Sequence, residues 1–578
     1  MRKVLYAGFI LLLSVGFAIG QDPAPTPTPA VDDKQTVSPE KLLGVPPIAP
    51  DYRSDDRSLP DLGRVGVDMM DQRSLTLNDA IALALENNND IEVTRKNVKI
   101  AEFDLQAARG FYQPRFTGNT SYERATTPNV SIFSANPKIT QGSLVGNVGV
   151  TGYIPRFGTV LRGDVNNQRL TSNNQISILS PQNNASLGFT LTQPLFRGRG
   201  FDQNRRVIEI AKRNLSLTDT QFRQKTIDTI LTVQRAYWDL AFSLRNLQVQ
   251  RDGVKDAKDQ YDHNKRLVEE GQLAPIDIVA AETQVANFEQ AVYEALNTVN
   301  QAENSLKNLI SPNKDAKIWS ESVTPIDPVD LTSPGITLKE ALDAALANRP
   351  ELELNQVQKD INGIDRKFYR DQKKPQIDLV ASYNSSGIGG SQNPGFSSPF
   401  GTVCDPADLD CLARLAQQQA NIAILTGNAY SGIFANRYPT YRVGIQFNLP
   451  LFGDKTAGAN YGKSLVEGER LDTQRAQLEQ NIQVDVRNAI QSVRTAEARL
   501  RSAAIARENS VKQYESEQRK LDAGQTDIYK VLERQTALTS ARSSELRAQT
   551  ELNKSIADLQ RATGNSLKAN NIESRLRR

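Results

Sequence analysis

The sequence predicts a mainly α-helical protein with a transmembrane β-barrel part, built from two copies of one unit carrying long helical hairpins. Three observations lead there. The chain repeats itself: Thr76-Leu77-Asn78-Asp79-Ala80 returns as Thr337-Leu338-Lys339-Glu340-Ala341, an offset of 337 − 76 = 261 that also carries Pro114 onto Pro375 and Tyr122 onto Tyr383. Farther on, Gly271-Gln272 returns as Gly524-Gln525, an offset of 524 − 271 = 253, so the copies differ in length in their strand regions and agree in their helices. Internal repetition of this kind governs a whole architecture. Next, long stretches keep a 3-4 apolar spacing with almost no helix breaker, and shorter stretches between them alternate apolar with polar residues. Finally, the N-terminus reads as an export signal.

That signal covers residues 1–20: Arg2 and Lys3, an apolar run from Val4 to Ile19, and small residues before Gln21. No cysteine follows it to accept a lipid. No later apolar run approaches the ~20 residues a membrane-spanning helix needs, so an exported chain of this kind enters a bilayer as a β-barrel. Residues 21–73 begin with a Pro-, Ala- and Thr-rich stretch and read as an extended tether. With 39% apolar residues and a mean hydropathy of −0.47, the 578-residue chain is poor in core for a compact globule and suits an elongated or hollow one. A net charge of +3 from 69 basic and 66 acidic residues provides no field for nucleic acid. One histidine, His263, and two cysteines without metal-ligand spacing leave no metal site, and no cofactor is expected.

The first repeat spans 74–310. A Thr-x-x-Asp cap opens one helix from Thr76 to about Arg109, ended by Pro114, and its copy runs from Thr337 to about Gln372 before Pro375. Period-two strands follow, with Leu187, Phe189 and Leu191 in the first half and Tyr441, Val443, Ile445 and Phe447 in the second. Such alternation suits a soluble half-buried sheet or a barrel wall between lipid and water. Leu144–Ile154, a Pro155–Gly158 turn and Val160–Gln168 form a hairpin the second half lacks. In its place the second half carries a loop from about Ser385 to Pro439 containing Cys404 and Cys411, a candidate disulfide in an exported chain.

The long helices come next. From Arg205 to Glu270, ~65 residues would extend ~100 Å. Ile230, Val233, Tyr237, Leu240, Leu244 and Leu247 continue in strict heptads through Arg251, Val254, Lys258 and Tyr261, and the second copy places Glu497 and Arg507 among its seam residues. Polar seam residues suit helices standing side by side around water, and an ordinary coiled coil is the alternative. Gly271 and Gly524 turn the chain into return helices that run to Ile310 and Thr563. Residues 311–336 link the halves, 337–564 form the second repeat, and 565–578 are a polar tail. Ala457–Ser464 fits a relaxed phosphate loop, but the strand before it alternates where a phosphate-loop strand is buried on both faces, so it reads as a corner-turning loop. Asp277 and Glu282 make no acid–base pair, His263 is expected on a solvated face, and the chain reads as a non-enzyme.

The ordered set of the Thr76 and Thr337 openings, the Gln193-Pro194-Leu195-Phe196 corner, Val233–Leu240 and the two Gly-Gln turns resembles the outer-membrane efflux protein (TolC-like) family over about Ser74 to Gly564. The resemblance implies a homotrimer whose chains share one outer-membrane β-barrel and one long periplasmic α-helical tunnel. It also implies a periplasmic adaptor docking on the tips Gly271, Gln272, Leu273, Ala274, Gly524, Gln525, Thr526 and Asp527, and through it an inner-membrane transporter. A pore constriction is implied at Asp277 and Glu533, near Lys530. Here Lys530 stands where an acid is expected, Leu521 where a tyrosine is and Thr526 where an arginine is. The extra hairpin departs from the simplest four-strand pattern. The implied role is an exit duct of a tripartite efflux pump or type I secretion system; a non-pore periplasmic coiled-coil adaptor or scaffold is the alternative.

Overall fold

The computed structural model describes residues 63–130, 136–396, 404, 408–450 and 454–572, and all but Gly63 of these lie in one compact unit, Arg64–Arg578. The expected signal peptide, the tether as far as residue 62, Leu451–Gly453 of the second corner and the tail beyond 572 lie outside the described residues.

Strand β1 (Asp68–Leu75) comes first, followed by α1 (Leu77–Asn87) and α2 (Asn89–Arg109). The single helix expected over 76–109 is therefore broken. Asn88 holds an extended ψ of 123°, and its side chain accepts from the Asp90 and Ile91 N–H groups, so it ends one helix and caps the next. The second copy breaks at the equivalent place, between α5 (Leu338–Asn348) and α6 (Pro350–Gln372), where Pro350 has no N–H to continue the ladder. Both openings are capped as expected: Thr76 accepts from the Asp79 N–H, and Thr337 and Glu340 form a reciprocal box.

The amphipathic segments become one antiparallel sheet: β2 (Arg115–Pro128), β3 (Lys138–Ile154), β4 (Thr159–Ser172), β5 (Leu179–Pro194), β7 (Gln376–Gln392) and β8 (Tyr438–Asn448), in that spatial order. The extra hairpin is β3–β4, inserted in the wall between β2 and β5. Its turn is anchored below: Gln193 Nε2 donates to Phe157 O at 3.0 Å, the Arg205 guanidinium donates to Pro155 O, and a Cβ on Gly158 would meet Gly198 O at 2.7 Å.

Pairing lines up whole rows. Phe116, Val150, Gly163, Phe189, Tyr383 and Tyr441 form one row across the sheet, and the next row is Thr117, Gly149, Asp164, Gly188, Asn384 and Thr440. Successive residues face opposite ways, so one face is mainly apolar and the other mainly polar, with Asn167, Arg169 and Asn183 on the apolar side toward the loop end. The apolar face is open to its surroundings, with Phe189 53% and Val443 77% exposed.

Between β7 and β8 lie α7 (Leu409–Leu425) and α8 (Ala429–Phe434). Helix α8 sits on the apolar face: Ala429 and Ile433 pack on Ala185, and Ser385 Oγ donates to Ile433 O at 2.9 Å. A Cβ on Gly387 would collide with the Ala429 carbonyl. Gly387→Val is therefore expected to lift α8 from the sheet, at a local cost of about 1–3 kcal/mol. Faster amide exchange confined to 429–434 would register it.

The helical hairpins are α3 (Gln203–Glu269, 67 residues) with α4 (Pro275–Ile310), and α9 (Lys455–Asp522, 68 residues) with α10 (Ile528–Ala562). The linker contributes β6 (Glu321–Pro325), which pairs parallel to β1. The seam holds as expected through Ile230, Val233, Tyr237, Leu240 and Leu247, all buried. Beyond Leu247 the buried stripe moves to Gly253, Ala257, Gln260 and Asn264, while Arg251 and Lys258 are exposed. Beyond Leu247 the stripe therefore lies one residue earlier than heptad counting places it, a local shortening of the repeat that is opposite in sense to the drift of a straight 3.6-residue helix. In the second copy Ala496 is buried and Glu497 exposed, and Arg507 pairs with Glu545 at 2.6 Å. Ala457–Ser464, read as a corner-turning loop, is helical: α9 starts at Lys455, with Asp454 accepting from the Ala457 N–H.

At the level of the β1–β6 pair, Glu303 is buried with two cations, Arg64 Nη1 at 2.9 Å and Lys307 Nζ at 3.3 Å, and accepts the Val323 N–H at 2.8 Å. No described helix is long and apolar enough to cross a membrane.

Candidate functional site: the hairpin tips

Each long helix ends on a glycine in the left-handed region, Gly271 at φ 77° and Gly524 at φ 69°. The two ends share one hydrogen-bond pattern. Gln272 N–H donates to Leu267 O at 2.8 Å and Gly271 N–H to Val268 O at 2.9 Å; Gln525 N–H donates to Lys520 O at 2.8 Å and Gly524 N–H to Leu521 O at 2.9 Å. The paired bonds are those of a glycine-ended helix, which a side chain at that position would strain.

The return helices start differently. Pro275 begins α4, and the Asp277 carboxylate accepts the Ala274 N–H at 3.1 Å. Asp527 caps α10 by accepting the Lys530 N–H at 3.0 Å, and the Lys530 ammonium stands 3.9 Å from the same carboxylate. Gly271, Gln272, Ala274, Gly524, Gln525 and Asp527 are exposed, and Leu273 and Thr526 are half-buried. Beneath the second tip Leu521 packs with Ile528, Val531 and Leu532, which explains an aliphatic residue there: its side chain belongs to a small tip core. Gln284 Nε2 donates to Thr536 Oγ1 at 2.7 Å, fastening α4 to α10. Lys520 bonds Glu517 and holds that carboxyl below its usual range.

His263 is not on a solvated face. It is half-buried, with Nε2 3.2 Å from Asp522 of the other hairpin, beside the buried Asn264 of the shifted stripe.

Of the three charged candidates, Glu533 is exposed and lines a groove between α4 and α10 with Ile276, Val279, Thr283, Tyr529 and Leu532. Asp277 lies at the start of α4 with its carboxylate engaged by the backbone, and Lys530 is exposed beside Asp527. The exposed apolar residues Ile276, Val279 and Tyr529 were missed in the sequence; apolar residues directly after a Gly-Gln turn were the available signal. At the opposite end of the fold Cys404 and Cys411 are joined as a disulfide, with Cα atoms 5.7 Å apart. Among the described residues no group of His, Cys, Asp and Glu is arranged to hold a metal.

A family model described as outer membrane efflux protein matches residues 80–311 and 341–565, one match for each repeat. A comparison with curated proteins finds no match. Among solved structures the chain is similar to the CmeC outer membrane channel of Campylobacter jejuni, with 16% identity, a TM-score of 0.58, and 85% of this chain and 86% of that one covered. It is also similar to the outer membrane protein VceC of Vibrio cholerae, with 13% identity, TM-score 0.57 and coverage of 84% and 96%. The open state of the Neisseria gonorrhoeae MtrE outer membrane channel gives 16%, 0.56, and coverage of 89% and 95%. These likenesses establish a shared fold. With both repeats matched, the chain belongs to the outer membrane efflux protein family, whose members are transport channels and not enzymes.

Proposed function

We propose that three copies of the chain form the exit duct of a tripartite efflux pump or type I secretion system. The sheets join as a barrel in the outer membrane, and the hairpins stand in the periplasm as one tunnel. Conduction is passive, and the energy source sits in an inner-membrane transporter reached through a periplasmic adaptor on the tips. One observation carries the reading: a sheet mainly apolar on one face and mainly polar on the other is followed in each repeat by a helix of 67 or 68 residues. Lipid on one side and water on the other accounts for both faces.

Neighbouring residues of β3 test the orientation. Asn147→Cys is expected to react with a membrane-impermeant maleimide in intact membranes, and Val148→Cys to react only after detergent is added. Equal labelling of both would contradict a lipid-bounded wall.

The tip is the proposed gate, with Asp277 and Glu533 of three chains around the opening and Gly271–Ala274 and Gly524–Asp527 as the docking points. The double variant Asp277→Ala, Glu533→Ala is expected to lose cation preference in planar bilayers, measured as a reversal-potential shift toward zero in a salt gradient. An unchanged reversal potential would move the constriction elsewhere.

A further inference from the structure

Among the described residues the six strands of the sheet leave two backbone edges unpaired, β2 on one side and β8 on the other. All of β8 is exposed, and so is β2 apart from one residue. Open edges are not tolerated in lipid, and six strands are too few to close on themselves, since about eight make an interior just filled by side chains. The strands alternate in direction and are even in number, so β8 of one copy meets β2 of the next antiparallel.

We propose that β8 pairs with β2 of the neighbouring copy in the register that sets Arg442 beside Glu123, and that three copies thereby close an eighteen-stranded barrel. The trimer rests on the channel reading above; the strand count and register are additional to it.

The register follows from pairs already present. Asn119, Asn147, Asn166, Ser186, Ser386 and Tyr438 form one row, so β2 and β8 residues at the same level within a chain sum to 119 + 438 = 557. For all eleven residues of β8 to lie against β2 of another copy, the sum must fall between 115 + 448 = 563 and 128 + 438 = 566. The apolar faces must also meet. They carry even residues of β2 and odd residues of β8, so the sum is odd, 563 or 565. The stagger per copy is then 563 − 557 = 6 or 565 − 557 = 8 residues.

Spread over six strands at about 4.8 Å spacing and 3.4 Å rise, those staggers tilt the strands by about 35° or 43°, inside the ~35–45° of closed barrels. Between the two, 565 opposes Arg442 to Glu123 on the polar face and Phe447 to Gly118 on the apolar face, whereas 563 opposes Arg442 to Ser121. Opposite charges across a strand pair favour the first.

The hairpin β3–β4 then widens the exit. Eighteen strands at this tilt give a backbone diameter of about 38 Å, against about 25 Å for twelve strands, and fall in the size class that leaves an open aqueous channel.

The test uses the full-length protein with its native cysteines. Asn119→Cys combined with Gln446→Cys is expected to give covalent dimers and trimers on oxidation, and neither single variant should. A stronger ladder from Asn119→Cys with Gly444→Cys would overturn the register. Electron cryomicroscopy of the unmodified protein, which does not depend on the variants folding, is expected to show a threefold pore of eighteen strands. A threefold pore of twelve strands, with β3–β4 outside the wall, would overturn this inference and leave the channel reading intact. A particle with no pore would overturn both.

Discussion

Glu303→Ala is expected to destabilise the protein by about 3–5 kcal/mol, the cost of stranding buried charge. Glu303 is 1% exposed and lies between Arg64 and Lys307, itself fully buried, while accepting the Val323 N–H. Its removal takes the carboxylate from two buried cations, leaving Arg64 the Ser322 hydroxyl and Lys307 the Trp319 carbonyl, and strips the Val323 N–H of its side-chain acceptor. Burial is the largest influence on Lys307 and lowers its pKa; Glu303 acts against that. In the variant the counteracting charge is gone, so the lysine is still harder to protonate. A base with a depressed folded pKa binds fewer protons folded than unfolded, so stability rises with pH through that window. The deficit of the variant should be largest near neutrality and ease as pH rises toward the ordinary lysine range. Melting midpoints of the detergent-solubilised protein across pH would check this, and a flat difference would exclude Lys307 as the cause.

Tyr237→Ala is expected to cost about as much, ~3–5 kcal/mol, for a different reason: loss of a large core side chain and the cavity it leaves. Tyr237 is fully buried where α1, α3 and α4 meet, among Leu75, Val233, Leu240 and Val299. Its hydroxyl lies 2.5 Å from Asp327 and 3.0 Å from Leu75 O, joining the linker to the start of the first repeat. Burial raises its pKa, so it remains a phenol. Tyr237→Phe keeps the volume and strands the polar partners, so about 1–3 kcal/mol is expected. Melting midpoints ordered wild type, Phe, Ala would support the assignment; equal loss in both variants would place the whole effect in the hydroxyl.

Local and repetitive features were legible in the sequence. The cap at Thr337, the glycine turns and the reach of α3 follow from nearby residues, whereas the first turns of α9, Ala457–Ser464, read as a loop. Features set by distant partners were not. Nothing in Asp68–Leu75 or Glu321–Pro325 announces a parallel pair, because each strand is specified by the other. The breaks at Asn88 and Arg349 were partly signalled, by the Asn87–Asn89 run and by Pro350, but the apolar periodicity on either side masked them. The Gly-rich end of β7 gave no sign that a helix would lie on it, although Gly387 and Gly389 have no other evident packing reason. At the tip, the turn was readable and the groove beside it was not, since Ile276 and Tyr529 belong to different hairpins.

Conduction by the assembled protein separates a channel from a scaffold. Purified mature protein in a planar lipid bilayer, without nucleotide, should give discrete, long-lived single-channel openings, with the barrel's polar face carrying the current. Protein that is folded and membrane-associated yet never conducts would contradict the account and return the helical hairpins to a scaffold role.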